Sequence, residues 1–353
     1  MSNLRVVVAY HNNPRTTAHY IVNALRQYGA DVLAAGPGHE LSFSRRGFPK
    51  NNALDLEGLW EHLTSESLEP DLFLCVDSGG TLFLPGLRSL PIPIAYYSID
   101  GHRFPRSTLA VGAQFDVTFV AQLPLMRALS SRGISVEWLP LAADLDVFAP
   151  SEDSHQVYDF VFVGNPYSHS ASPTYRFVGA MRRQVLTSLT SEYNGLVTQA
   201  APRDTPREYA RGLVGMNVAG GDRSLDINMR AFEIPACRAP LLTNGDWQSL
   251  RRLFVLGKDI AYFSTLDECR IILRRLLMSR SLREDLAYAG YERVVERHTY
   301  MHRAERILNR LEGIRPGKRA RLLPSARVKW WQSGIGVRLQ SPVLGQTGNP
   351  APW

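Results

Sequence analysis

Short β-branched runs alternate with amphipathic stretches along this chain, stop at a proline-flanked polar segment, and then begin again. Residues 4–10 read as a buried parallel strand, because a run that is apolar at consecutive positions needs cover on both faces. Residues 16–28 follow with Ala18, Ile21, Val22, Leu25 and Tyr28 at helical spacing, and Gly29 stands where such a helix ends. Further strands are expected at 31–35, 71–76, 92–97, 115–120 and 136–139, with helices at 54–63 and 124–131. Repetition of this kind folds as a parallel sheet with helices on both faces.

Residues 140–155 carry Pro140, Pro150 and the polar stretch SEDSH, as a connection between domains would. The alternation then resumes, with strands expected at 158–163, 195–199, 213–219, 240–243 and 259–263. Helices are expected at 174–190, 229–237, 266–278, 281–297 and 300–311. A length of 353 residues suits two domains. The expected division is 1–145, 146–312 and a tail, 313–353.

The net charge of +7 suggests nucleic acid until it is located. Arg315, Lys318, Arg319, Arg321, Arg327, Lys329 and Arg338 all lie in the tail, which has no Asp or Glu, so residues 1–312 are formally neutral. No nucleic-acid partner is therefore expected for the body. The tail's basic residues lead to Trp330 and Trp331. Gly334, Gly336 and Pro324 disfavour a long amphipathic helix there, so the tail is read as docking on the body. Its basic face then suits an acidic partner or an anionic membrane surface. No apolar run approaches the ~20 residues of a spanning helix. The start MSNLRVVVAY has no signal-like apolar region, and the three cysteines, Cys75, Cys237 and Cys269, form no pair motif. A cytoplasmic protein, peripheral at most, is expected.

Open parallel sheets bind ligands beyond the carboxyl ends of their strands, so residues there are the candidates. In the first half these are His11 and Asn12 after the first strand, Ser78 and Gly79 after the third, and Asp100 and His102 after the fourth. A carboxylate two residues from an imidazole can do general acid–base work; Asp-Gly is equally a turn dipeptide. In the second half, Gly164 and Asn165 end a strand and Arg176 opens the next helix, a place that attracts phosphate. No GxGxxG or GxxxxGK[ST] occurs at either first turn, which disfavours a dinucleotide enzyme and a P-loop NTPase. Asp226, Asn228, Arg230 and Glu233 form the densest polar cluster. Arginine can clamp a diphosphate and a carboxylate can accept from a ribose diol, whereas a solvated helix start would show the same charges. Asp144 and Asp146 match a DxD metal pattern, and His298 and His302 have i,i+4 spacing. The first lies at the domain junction and the second lacks an HExxH glutamate, so no metal is expected at either.

The segments SLDINMRAFEIPACRAPLLTN, LFVLGKDIAYFSTLDE and SLREDLAYAGYERVVERHTYMHRAERIL resemble the C-terminal half of the CgeB-like, spore-maturation type glycosyltransferases of the GT-B group. AYYSIDGHRF, FDVTFVAQ, WLPLAADLDVFAP and YDFVFVGN look similar to the same family, so the resemblance covers most of 70–310. It implies two Rossmann-like domains facing across a cleft, with a nucleotide-sugar donor bound mainly by the second and an unidentified acceptor mainly by the first. It also implies no cofactor and no metal, and it puts Glu233 where related retaining enzymes contact the donor ribose. The second glutamate of those enzymes corresponds to Leu225, beside Asp226, and Arg238 stands where the family commonly has glycine. A nucleotide-sugar epimerase or hydrolase, or a non-catalytic binding protein, is the alternative on the same fold.

Overall fold

The computed structural model describes residues 4–14, 16–44, 52–77, 82–101, 105–152, 155–166, 173–219, 227–312 and 314, with only the backbone for 105 and 173–181. Ser78, Gly79, His102, Asp226 and, apart from Ile314, the tail lie outside the described residues.

The first half runs β1 (Arg5–Ala9), α1 (Ala18–Gln27), β2 (Asp31–Ala35), α2 (Leu56–Ser65), β3 (Leu72–Asp77), β4 (Ile94–Ser98), α3 (Pro105–Gly112), β5 (Val117–Val120), α4 (Leu123–Ser130) and β6 (Val136–Trp138). All its pairings are parallel, in the order β2-β1-β3-β4-β5-β6. The β-branched core of β1 is buried throughout Val6–Ala9, and α1 turns its Ala18, Ile21, Val22 and Leu25 stripe inward. Gly29, at φ +98°, lets the chain reverse into β2.

The second half runs β7 (Tyr158–Val163), α5 (Pro173–Thr190), β8 (Gly195–Thr198), α6 (Thr205–Ala210), β9 (Gly212–Asn217), α7 (Arg230–Ala236), β10 (Leu241–Thr243), α8 (Trp247–Leu253), β11 (Ala261–Tyr262), α9 (Leu266–Met278), α10 (Arg280–Arg297) and α11 (Tyr300–Leu311). Its parallel sheet has the order β11-β10-β9-β7-β8. The expected pair of Rossmann-like sheets is thus present. Helices α3, α6 and α8 were not anticipated; at six to eight residues they span about two turns, over which a stripe is brief. The strand expected at 259–263 shrinks to two residues. Asp259 instead closes a turn, its Oδ2 accepting from Val255 N–H (2.8 Å) and Arg293 Nε (2.9 Å).

The connection between the sheets is not a solvated tether. Leu139, Leu141, Ala142, Ala143 and Phe148 are buried, and Ala143 bridges Thr299 through the His298 carbonyl (3.0 Å) and the Tyr300 N–H (3.1 Å). Arg303, itself buried, donates to the carbonyls of Pro140 (2.7 Å) and Leu141 (3.0 Å). α11 packs on α1, with Tyr300 stacked on Tyr20 at 5.3 Å. One apolar cluster therefore runs from Val6 and Val8 through Leu141 and Tyr300 to Val161, Phe232 and Ile234.

Candidate functional site

β9 ends at Asn217 and β10 at Thr243, and these two residues are register partners. Asn217 is buried and its Nδ2 donates to Thr243 Oγ1 (3.1 Å). Its Oδ1 accepts from Asn228 Nδ2 (3.1 Å) and from Arg230 Nε (3.0 Å). Asn228 Oδ1 in turn accepts the Arg230 backbone N–H (3.1 Å), which opens α7. The Arg230 guanidinium lies 5.2 Å from the centre of the buried Phe162 ring and against Gly164. Among the described residues no carboxylate pairs with Arg230. This is a cation fixed through its Nε, suited to an anion such as a diphosphate.

Glu233 lies one turn further along α7 and is 7% exposed. Burial pushes its carboxyl up to about 7, with Arg230 opposing. Burial raises Tyr20, Tyr209 and Tyr300, and the Glu233 charge adds to the rise in all three. Tyr20 comes from α1, so the acid sits where the two halves meet. Near neutrality such a group is divided between its acid form, which can donate as well as accept a hydrogen bond, and its carboxylate, which accepts only.

The structure therefore brings Gly164, Asn228, Arg230 and Glu233 together. Asn165 is beside them; its carbonyl accepts from Arg182 Nη1 (3.1 Å), while Arg182 Nε donates to the Val218 carbonyl (2.9 Å). Arg182 thus ties the loop after β7 to the loop after β9, and its guanidinium also lies over Phe162 at 5.8 Å. Arg176 falls in α5, where only the backbone is described. Asp100 is half-buried on the loop after β4. Next to it a Cβ on Gly101 would meet Ser98 Oγ at 2.1 Å, so that turn admits only glycine. His11 is half-buried and Asn12 exposed; Asn12 Nδ2 donates to the Gly38 carbonyl (2.9 Å), which ties the loop after β1 to the loop after β2.

Two first-half residues that were not singled out do reach the segment before α7. Gln122 Nε2 donates to the Ile227 carbonyl (3.2 Å) and its Oε1 accepts the Ile227 N–H (3.1 Å). Thr17 Oγ1 lies 3.4 Å from Met229 Sδ. Beside Tyr20 a cavity of about 450 Å³ opens between Thr16, His19, Tyr20 and Asn23 on one side and Pro202 and Arg203 on the other.

Both metal-like patterns have structural roles. Asp144 Oδ1 accepts the Asp146 N–H (2.9 Å) and Asp146 Oδ2 accepts from Gln27 Nε2 (2.6 Å), fixing a turn to α1. His298 is buried against Phe232 and Phe254 with Nε2 on the Leu253 carbonyl (2.9 Å), whereas His302 Nδ1 caps α11 through Thr299. Among the described residues no group of three or more His, Cys, Asp or Glu converges.

The same architecture recurs in solved structures. A glycosyltransferase from Rickettsia africae superposes with a TM-score of 0.61 at 6% identity, over 88% of this chain and 98% of that one. Sucrose-phosphate synthase from Thermosynechococcus elongatus gives 0.58 at 12% identity, over 88% and 98%. HepE of Anabaena, solved with UDP-glucose, gives 0.57 at 11%, over 88% and 100%. The fold is GT-B. Residues 151–309, which hold the whole of the Arg230–Glu233 cluster, match the family described as glycosyl transferase-like. No curated protein matches the chain. Among the described residues no helix of this GT-B chain is long and apolar enough to cross a membrane.

Proposed function

We propose that this GT-B chain is a CgeB-like glycosyltransferase that moves a sugar from a nucleotide-diphosphate donor to an acceptor, without a metal ion. One observation carries the reading: Arg230, held by Asn217 and Phe162 against Gly164, stands one helical turn from the buried acid Glu233. Arg230 neutralises the leaving diphosphate, the work that a divalent cation does elsewhere. Glu233 holds donor hydroxyls. The acceptor enters from the first half, where Asp100 and His102 deprotonate or position its hydroxyl. The cavity beside Tyr20, lined by Thr16, His19 and Asn23 of the first half, offers that acceptor room. UDP-sugars are the first donors to try, since HepE was solved with one.

The test is calorimetry with a panel of nucleoside diphosphates and their sugars, followed by product analysis with EDTA present. Glu233→Ala should weaken donor binding by roughly 1.5–3 kcal/mol, the range for a hydrogen bond to a charged group. Unchanged donor affinity in both Glu233→Ala and Arg230→Ala would move the site elsewhere, and loss of turnover in EDTA would remove the metal-free part.

A further inference from the structure

We propose that Gln122 is a positioning residue that sets the donor segment from the opposite half of the molecule, an inference that rests on the nucleotide-sugar reading above. Ile227 is buried and lies just before α7, outside both sheet and helix, so its backbone N–H and C=O need partners from elsewhere. One side chain supplies both. A primary amide offers a donor and an acceptor on one rigid plane, and Gln122 turns each to its complement on Ile227.

Gln122 is itself held firmly. It is 4% exposed, follows β5, and its carbonyl accepts the Leu125 N–H (3.1 Å) as α4 begins. The preceding Ala121 N–H donates to the Ser98 carbonyl of β4 (3.0 Å). The grip is thus built on the first sheet rather than on a loose loop. From Ile227 it passes directly to Asn228, whose side chain holds both the Arg230 N–H and Asn217. Thr17 touches Met229 from the same half. The short stretch that orients Arg230 is therefore registered against the first half at two points. A displacement of Ile227 moves Asn228 and, through it, the guanidinium.

A purely structural amide would affect stability and leave ligand affinity alone, which makes the distinction measurable. Titration calorimetry with UDP and hydrogen–deuterium exchange are run on the wild-type chain, Gln122→Leu and Gln122→Asn. Leucine removes both hydrogen bonds at similar volume, and asparagine keeps the amide one methylene short. The expected result is faster exchange over 227–234 with no change over 158–163, together with a loss of UDP affinity of about tenfold in Gln122→Leu. UDP affinity within twofold of wild type in the variants overturns the positioning role, whatever their melting temperatures. A wild-type chain that binds no nucleoside diphosphate overturns the donor reading instead. Exchange then decides the grip alone: faster exchange over 227–234 supports it and unchanged exchange overturns it. Should Gln122→Leu fail to fold, Gln122→Asn carries the same measurements with the same outcomes.

Discussion

Gly164 and Arg230 fill adjoining space with no room for a methyl group between them: a Cβ on Gly164 would stand 2.5 Å from Arg230 Nη1. The backbone at Gly164 has φ +147°, which adds strain for any other residue. Gly164→Ala should therefore push the guanidinium off Phe162 and Asn217. We expect a loss of UDP affinity of about tenfold or more, close to that of Arg230→Ala, as for a broken charge-assisted contact. Adding Gly164→Ala to Arg230→Ala should cost little more, because the two changes remove one interaction. Calorimetry on the double-mutant cycle checks this, and additive losses would refute the shared mechanism.

Glu233 makes stability depend on pH in a definite direction. Its carboxyl is raised from 4.5 to about 7 by burial. The folded state thus keeps a proton that the unfolded chain has released. The stabilising term is complete below pH 4.5, is lost as pH rises through 7, and amounts to about 3 kcal/mol. His298 runs the other way: burial pushes it down from 6.5 to about 4, so its term is lost as pH falls through that window. The two oppose each other between the ordinary carboxylate and imidazole ranges. Urea unfolding of Glu233→Gln should lose the Glu233 term, so that stability rises from about pH 4.5 to 6.5, where the opposed terms hold the wild type nearly level. A wild type whose stability rises as steeply as that of Glu233→Gln between about pH 4.5 and 6.5 would be evidence against this assignment.

Arg238 closes α7 at φ +55°, a left-handed conformation that non-glycine side chains disfavour by roughly 1–2 kcal/mol. Its side chain is exposed and lies 5.8 Å from the Tyr288 ring, a contact worth less than the strain. Arg238→Gly should raise stability by about 1 kcal/mol after the extra backbone entropy of glycine is counted. A melting temperature at or below wild type would show that the Tyr288 contact outweighs the backbone.

The sequence made some of the site legible and left the rest to topology. Asn228, Arg230 and Glu233 lie within two helical turns, so residue type and spacing were enough to group them. Asn217 and Thr243 belong with them only because β9 and β10 pair in register, and nothing local marks an Asn at a strand end as a hydrogen-bond hub. Arg182 and Gln122 act across 36 and 105 residues of chain, a separation that periodicity does not span. The reverse also occurred. His298 and His302 have the spacing of a paired site, yet His298 precedes α11 rather than lying on it, so the two imidazoles serve different carbonyl and cap partners. The βα alternation itself was readable because α1 carries an apolar stripe and the inner strand β1 is apolar and buried from Val6 to Ala9. The short helices α6 and α8 carry too few turns to announce themselves.

The stacking of α11 on α1 has a consequence for how this chain is made. A domain encoded first usually folds first as it leaves the ribosome. Here the cover for Tyr20 is Tyr300, and the carbonyls of Pro140 and Leu141 await Arg303. The N-terminal sheet can pair early, but the cover on Tyr20 is missing until α11 has been synthesised. Completion of the first half and completion of the second are then a single event, so the nascent chain commits to both halves at once.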